Sequence, residues 1–199
     1  MMTIDSNDML NSILDSLSRI DYIKPGDIPN IPLYMDQVTT FMDAQLSSSR
    51  RYESDKILTK TMINNYAKND LLPPPAKKKY SKEHLLLLVF IYYFKNLLTI
   101  TDIQALLKPI TDKYFQGSDK LTLEDIYNEV FRLEKSQIDV LKEDIVNRYQ
   151  LSRDTFSDAP AEDQEFLKTF SFICLLSFDV YMKKQIIEKL IDQMNSKKK

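Results

Sequence analysis

Thr61, Asn64, Asn65 and Lys68 recur at the i, i+3, i+4 and i+7 spacing of one helix face. Two amides, a hydroxyl and an ammonium on one face can exchange hydrogen bonds with base edges. Asparagine pairs bidentately with adenine, and lysine reaches guanine or a phosphate. Ile63 and Tyr66, with Met62 beside them, supply the apolar side that would hold such a helix on a core. The same polar pattern also describes an ordinary solvated helix face. The surrounding charge sets this one apart. Between Arg50 and Lys82 stand nine basic residues (Arg50, Arg51, Lys56, Lys60, Lys68, Lys77, Lys78, Lys79 and Lys82) against Glu53, Asp55 and Asp70, a balance of +6. The whole chain carries −2, so the remainder carries −8. A positive island on an acidic chain suits a polyanion, because each neutralised phosphate releases counterions.

Composition removes most other chemistries. At 199 residues and 43 % hydrophobic, the chain can bury one or two cores and is not a disordered segment. Gly26 and Gly117 are its only glycines, so neither G-x-G-x-x-G nor a P-loop can be written. Scarce glycine also disfavours hairpin-rich folds, and an all-α protein is expected. One cysteine and one histidine exclude an internal disulfide and a Cys/His zinc site. Cys174, inside FSFICLLSF, is expected to be a small buried hydrophobe. His84, alone at the start of an apolar stretch, suits a helix end or a core better than general-base work. Glu124/Asp125, Glu143/Asp144 and Glu162/Asp163 are adjacent pairs that do not share a helix face. No G-x-S-x-G elbow occurs. Neither an enzyme nor a cofactor is expected. The start MMTIDSNDML lacks signal-peptide character, and the longest apolar run, residues 85–94, is too short to span a bilayer. A cytoplasmic setting without a membrane partner follows as an expectation.

The elements that must position the polar face are legible as periodicity and punctuation. Residues 7–20 read as an amphipathic helix with Met9, Leu10, Ile13, Leu14, Leu17 and Ile20 on one side. A proline-containing loop follows, then a short helix over 36–46 and a polar loop over 47–56. Thr59 caps a helix over 60–69, which Pro73, Pro74 and Pro75 must end. Ser81 opens a helix that is apolar almost all round and therefore central. Thr99 with Asp102, and Thr122 with Asp125, are capping-box patterns. The first opens residues 100–108, closed by Pro109. The second opens one long helix of about seven turns bearing Leu123, Ile126, Val130, Leu133, Leu141 and Ile145 inward. Asp158 and Pro160 start a last helix to about Met194, with Phe166, Phe170, Ile173, Leu176, Val180, Ile187, Leu190 and Ile191 inward. The tail at 197–199 reads as a frayed or dipole-compensating end. The aromatic run over 89–94 reads as core, with a pocket for an unidentified small-molecule effector as the other reading.

Residues 62–81, MINNYAKNDLLPPPAKKKYS, resemble the DNA-reading segment of MerR-type regulators. Those proteins run from a helix through a tyrosine-containing turn and a Leu-Pro step to a basic wing, then Tyr-Ser opening the next helix. Tyr66, Leu71, Leu72, Pro73, Tyr80 and Ser81 fall on those positions, and LLTITDIQALL at 97–107 resembles a later MerR helix. With IPLYMDQVTTFM at its start, the stretch more closely resembles the bacterial domain-of-unknown-function 1836 family. The resemblance implies a MerR-like winged helix-turn-helix core within an all-α chain with long C-terminal helices. It divides the chain into an arm at 1–29, a DNA-binding domain at 30–115, and a dimerisation or regulatory region at 116–199. It also implies double-stranded DNA as partner and a homodimer formed through the C-terminal helices. Thr61, Asn64, Asn65 and Lys68 would face bases; Lys60, Lys77, Lys78, Lys79, Lys82, Arg50 and Arg51 would face phosphates. Four departures stand out. Asn64 replaces the usual arginine, Asp70 replaces a glycine, AKKKY is a short wing without glycine, and the polar residues 47–56 are an insertion between the first two helices. A helical protein-interaction module of the same shape, without DNA binding, is the alternative.

Overall fold

A computed structural model of the chain describes residues 6–18, 23–117 and 120–196. Ile20 of the expected first helix and the lysines at 197–199 lie outside the described residues. The described chain is mostly helical, as expected, with one two-stranded antiparallel sheet. It falls into two compact units: Met1–Arg19 with Glu134–Leu190, and Ile20–Leu133 with Ile191–Lys199.

The larger unit is built around α4 (Lys82–Phe94), in which every residue from 84 to 92 is buried. A helix with no polar face must be enclosed on all sides, and each fully buried leucine there contributes about 1.5–3 kcal/mol relative to exposure. α5 (Ile100–Tyr114) packs on one side. α6 (Leu123–Ser136) packs on another, where Phe90 meets Tyr127 at 5.4 Å and Phe131 at 5.7 Å between ring centroids. The connection between α2 (Met35–Leu46) and α3 (Lys60–Lys68) contributes two polar ties. Ser49 shares a hydrogen bond with the Tyr92 hydroxyl, and Lys95 Nζ donates to the Ile57 carbonyl at 2.6 Å. The Tyr127 hydroxyl donates to the Ile23 carbonyl at 2.7 Å, which fixes the start of this unit.

Two expected boundaries are wrong. Pro109 lies inside α5 rather than ending it. The missing N–H leaves the helix one internal bond short, but the continuation delivers Phe115 edge-on to the His84 ring at 4.8 Å. The expected seven-turn helix is two helices, α6 and α7 (Ile138–Arg153), broken at Gln137. No apolar side chain lies between Leu133 and Ile138, so burial does not enforce continuity there. The inward face of α6 is Leu123, Tyr127 and Phe131, while Val130 and Leu133 are exposed, and Leu141 of α7 is exposed too.

The smaller unit joins α1 (Ser6–Ser18), α7 and part of α8 (Ala161–Ser196). Its core is Leu10, Ile145, Tyr149 and Phe172, flanked by Leu14, Leu17, Val146 and Leu176. The rings of Tyr149 and Phe172 meet edge to face at 5.5 Å. Arg148 bridges Asp144 at 2.6 Å and Asp179 at 3.4 Å. The inward face of α8 corrects the sequence expectation. Phe172 anchors it, whereas Phe166, Phe170, Ile173, Val180 and Leu190 are exposed, Leu176 and Ile187 are half-buried, and Ile191 is buried. Cys174, two residues from Phe172, turns to roughly the opposite side of the helix and is exposed, not buried.

His84 is a buried helix-end residue. Its Nδ1 accepts from the Ser81 N–H at 2.9 Å, completing the cap of α4, and its Nε2 is buried without a hydrogen-bond partner. Burial holds its pKa below the ordinary 6.5, opposed by the nearby Pro74 and Pro73 carbonyls and by Glu83. The unfolded chain therefore takes up this proton first, so stability falls as the pH drops below about 6.5. Thermal melts from pH 7.5 to 5 should show this acid loss in the wild type. His84→Gln, which keeps an acceptor for the Ser81 N–H, should flatten it.

Candidate nucleic-acid interface

The polar face of α3 stands where the sequence places it. Thr59 caps the helix through a Met62 N–H to Oγ1 bond of 3.1 Å, and Ile63 and Tyr66 are buried, with Met62 half-buried beside them. That anchoring turns Thr61, Asn64, Asn65 and Lys68 outward, and all four are exposed. None of their side chains enters a hydrogen bond or ion pair among the described residues.

The helix ends through backbone geometry that normally calls for glycine. Asp70 takes a φ of 53°, and the N–H groups of Leu71 and Leu72 both donate to the Tyr66 carbonyl, at 2.9 and 3.3 Å. Aspartate tolerates this left-handed conformation better than most residues, so the chain keeps the turn despite lacking the glycine. Leu71 and Leu72 are buried. Their burial ties the end of α3 to the core before the three prolines lead to the basic segment.

Ala76 and Lys79 close a tight turn, with the Lys79 N–H donating to the Ala76 carbonyl at 2.9 Å. Lys77 and Lys78 occupy its two central positions with φ of 49° and 64°. Two consecutive positive φ values favour Asn-Gly or Gly-Gly. Lysine there costs roughly 1–2 kcal/mol per residue. In return, both ammonium groups project from an exposed tip.

β2 (Lys79–Tyr80) then pairs antiparallel with β1 (Leu33–Tyr34), Leu33 opposite Tyr80 and Tyr34 opposite Lys79. Lys79 Nζ lies 5.0 Å over the Tyr34 ring, a cation–π contact. Tyr34 is also the N-cap of α2, its N–H donating to Gln37 Oε1 at 2.9 Å. Two residues on, Asp36 holds an ion pair with Lys60 at the start of α3. The turn and the first turn of α3 therefore both abut the N-terminus of α2. Tyr34 and Asp36 were not among the sequence candidates, because their partners are more than twenty residues away and no local pattern marks them.

The remaining predicted cations divide by their partners. Lys60 is paired with Asp36, Arg50 with Asp43, and Lys82 with Glu124 at 2.8 Å. Arg50 Nε is buried without a hydrogen-bond partner. Arg51 lies over the Tyr52 ring at 5.2 Å. Lys68, Lys77, Lys78 and Lys79 hold no carboxylate among the described residues. A shallow open groove of about 430 Å³ beside α2 is lined by Pro29, Leu33, Asp36, Gln37, Thr40 and Phe41, among others. The aromatic run expected as core is core at Val89, Phe90, Ile91 and Tyr92. Among the described residues no three His, Cys, Asp or Glu side chains gather into a metal-ligating group, and no helix is long and apolar enough to cross a membrane.

These elements fall within the segment by which the chain is classified. The model of the family described as a domain of unknown function, DUF1836, matches residues 23–130, more than half of the chain. The protein belongs to that family. No curated protein and no solved structure matches it.

The strain at the turn tip has a measurable consequence. Lys78→Gly should raise stability by up to about 1 kcal/mol, because relief of the left-handed penalty exceeds the entropy glycine adds to the unfolded chain. Urea denaturation of the variant beside the wild type measures this.

Proposed function

We propose that this protein is a non-catalytic duplex DNA-binding regulator of MerR-like, winged helix-turn-helix type. In this reading α3 enters the major groove and the turn at 76–79 acts as the wing. The observation that carries it is the junction at the N-terminus of α2, where the basic turn is held to Tyr34 and the first turn of α3 to Asp36, two residues further on. A helix with uncommitted amides beside two lysines on a strained tip suits a groove flanked by phosphate.

Roles follow from partners. Lys77 and Lys78 neutralise backbone phosphates, which needs only charge and reach. Lys79, Lys68 and Arg51 add to the same field. Arg50, Lys60 and Lys82 join only by exchanging a carboxylate for a phosphate. Thr61, Asn64 and Asn65 read base edges, Asn64 standing where the resembling regulators carry arginine and so favouring adenine over guanine. The second reading, an interaction module without DNA binding, draws on those three internal ion pairs, which hold charge the first reading would spend on phosphate.

Fluorescence anisotropy of a labelled duplex in stepped salt tests the proposal. Affinity should fall steeply with salt, and Lys77→Ala with Lys78→Ala should weaken every duplex and flatten the log–log slope by up to about 1.8, or 0.9 per phosphate contact. Absent or salt-insensitive binding by the intact chain contradicts it.

Asn64→Ala gives an independent check on base reading. It should cost about 1–3 kcal/mol of discrimination at one base pair of a selected site while leaving non-specific affinity unchanged.

A further inference from the structure

His84 is 1 % exposed and stands where three elements of the larger unit meet. Its ring, in the first turn of α4, packs edge-on against Tyr80 of β2 at 5.4 Å and against Phe115, the C-cap of α5, at 4.8 Å. Nδ1 accepts from the Ser81 N–H at 2.9 Å and lies 2.9 Å from Ser81 Oγ. A ring nitrogen that accepts carries no proton, so the neutral ring holds its proton on Nε2, which is buried without a hydrogen-bond partner. The atom that takes up the next proton is therefore the atom that caps α4. Once protonated, Nδ1 meets the Ser81 N–H donor to donor, and Ser81 Oγ is the acceptor left to it. The Ser81 N–H then loses its partner while a charged ring sits among apolar groups. Both are costly when buried.

The element joined to this cap is lightly held. β1 and β2 pair over two residues each, Leu33 with Tyr80 and Tyr34 with Lys79. Lys77 and Lys78 keep positive φ angles of 49° and 64°, which relax if the turn opens. α4, by contrast, is buried from residue 84 to residue 92 and cannot shift without opening the core. The cost at the ring is thus relieved locally, toward the turn.

We propose that protonation of His84 at Nδ1 frees Tyr80 and Ser81 from the start of α4 and unseats the basic turn at 76–79, an acid switch built into this unit. As a control on duplex binding it rests on the DNA-binding reading; the release of the turn does not. The surroundings of the ring favour the neutral form. Burial holds its pKa below the ordinary 6.5, against the Pro74 and Pro73 carbonyls and Glu83 of its own helix. Lys82 is paired with Glu124 of α6 at 2.8 Å. From β2, Lys79 lies over the Tyr34 ring at 5.0 Å, and from α5, Lys113 lies over the Tyr114 ring at 5.0 Å. The sign of the effect sets the switch apart. Acid makes the other titratable groups of the chain more positive and should strengthen its hold on a polyanion. The switch weakens that hold. Opening takes up one proton, so affinity falls by at most about tenfold per pH unit below about 6.5.

His84 is the only histidine of the chain, so its ring signals in nuclear magnetic resonance report the titration directly. In the free full chain, ¹⁵N spectra from about pH 7.5 to 5.5 should show the amides of Lys77, Lys78, Lys79, Tyr80 and Ser81 moving with the His84 midpoint, while those of α7 and α8 stay fixed. Anisotropy of a labelled mixed-sequence duplex at constant salt should show wild-type affinity falling several-fold, up to about tenfold, between about pH 6.5 and 5.5. His84→Gln keeps an acceptor for the Ser81 N–H and does not titrate, so its affinity should hold or rise over the same range. A ring that stays neutral to about pH 5.5, amides at 77–81 that stay fixed while the ring titrates, a spectrum that collapses throughout, or a wild-type affinity that rises with acid overturns the proposal. Absence of duplex binding at every pH overturns the DNA-binding reading instead, and the amide shifts then decide the release on their own.

Discussion

The enclosure of α4 is the constraint on which the larger unit depends. With residues 84–92 buried on every side, the chain must wrap α5, α6, β2 and the α2–α3 connection around one rod. The polar group that fits this enclosure least well is His84, whose Nε2 is buried without a hydrogen-bond partner. It is retained at the point where the enclosed helix meets the basic turn. Its Nδ1 caps α4 through Ser81, and its ring packs edge-on to Tyr80 of β2 at 5.4 Å. The core thereby positions the turn that carries Lys77 and Lys78.

Charge is used in two ways on this scaffold. Asp36, Asp43 and Glu124 hold Lys60, Arg50 and Lys82 in place, and these ion pairs orient elements more than they stabilise them. The lysines at 68, 77, 78 and 79 are left without such partners and give the face its field. The backbone accepts strain to keep two of them at the tip. That combination, internal pairing beside unneutralised and strained cations, separates the proposed contact surface from an ordinary solvated helix face.

Much of this was legible in the sequence, for local reasons. The cap at Thr59, the boxes at Thr99/Asp102 and Thr122/Asp125, and the anchors Ile63 and Tyr66 are short-range patterns whose geometry the structure reproduces. The helical character followed from scarce glycine. What was not legible depended on competition between distant surfaces. α8 carries apolar residues on more than one side, so periodicity could not say whether Phe172 or Phe170 faces inward. Pro109 reads as a stop until Phe115 finds His84. The break at Gln137 has no proline or glycine to announce it. Within the candidate site, the exposed face of α3 was readable, whereas the acids that claim Lys60, Arg50 and Lys82 required the fold.

The central claim is that α3 and the strained turn form one surface for duplex DNA. Titrating a mixed-sequence duplex into ¹⁵N-labelled protein and following backbone amide shifts tests it most directly. The account predicts shifts concentrated on α3, the turn at 76–79 and the start of α2, with α8 unaffected. Shifts absent, or gathered on α7 and α8 while α3 stays silent, would contradict it.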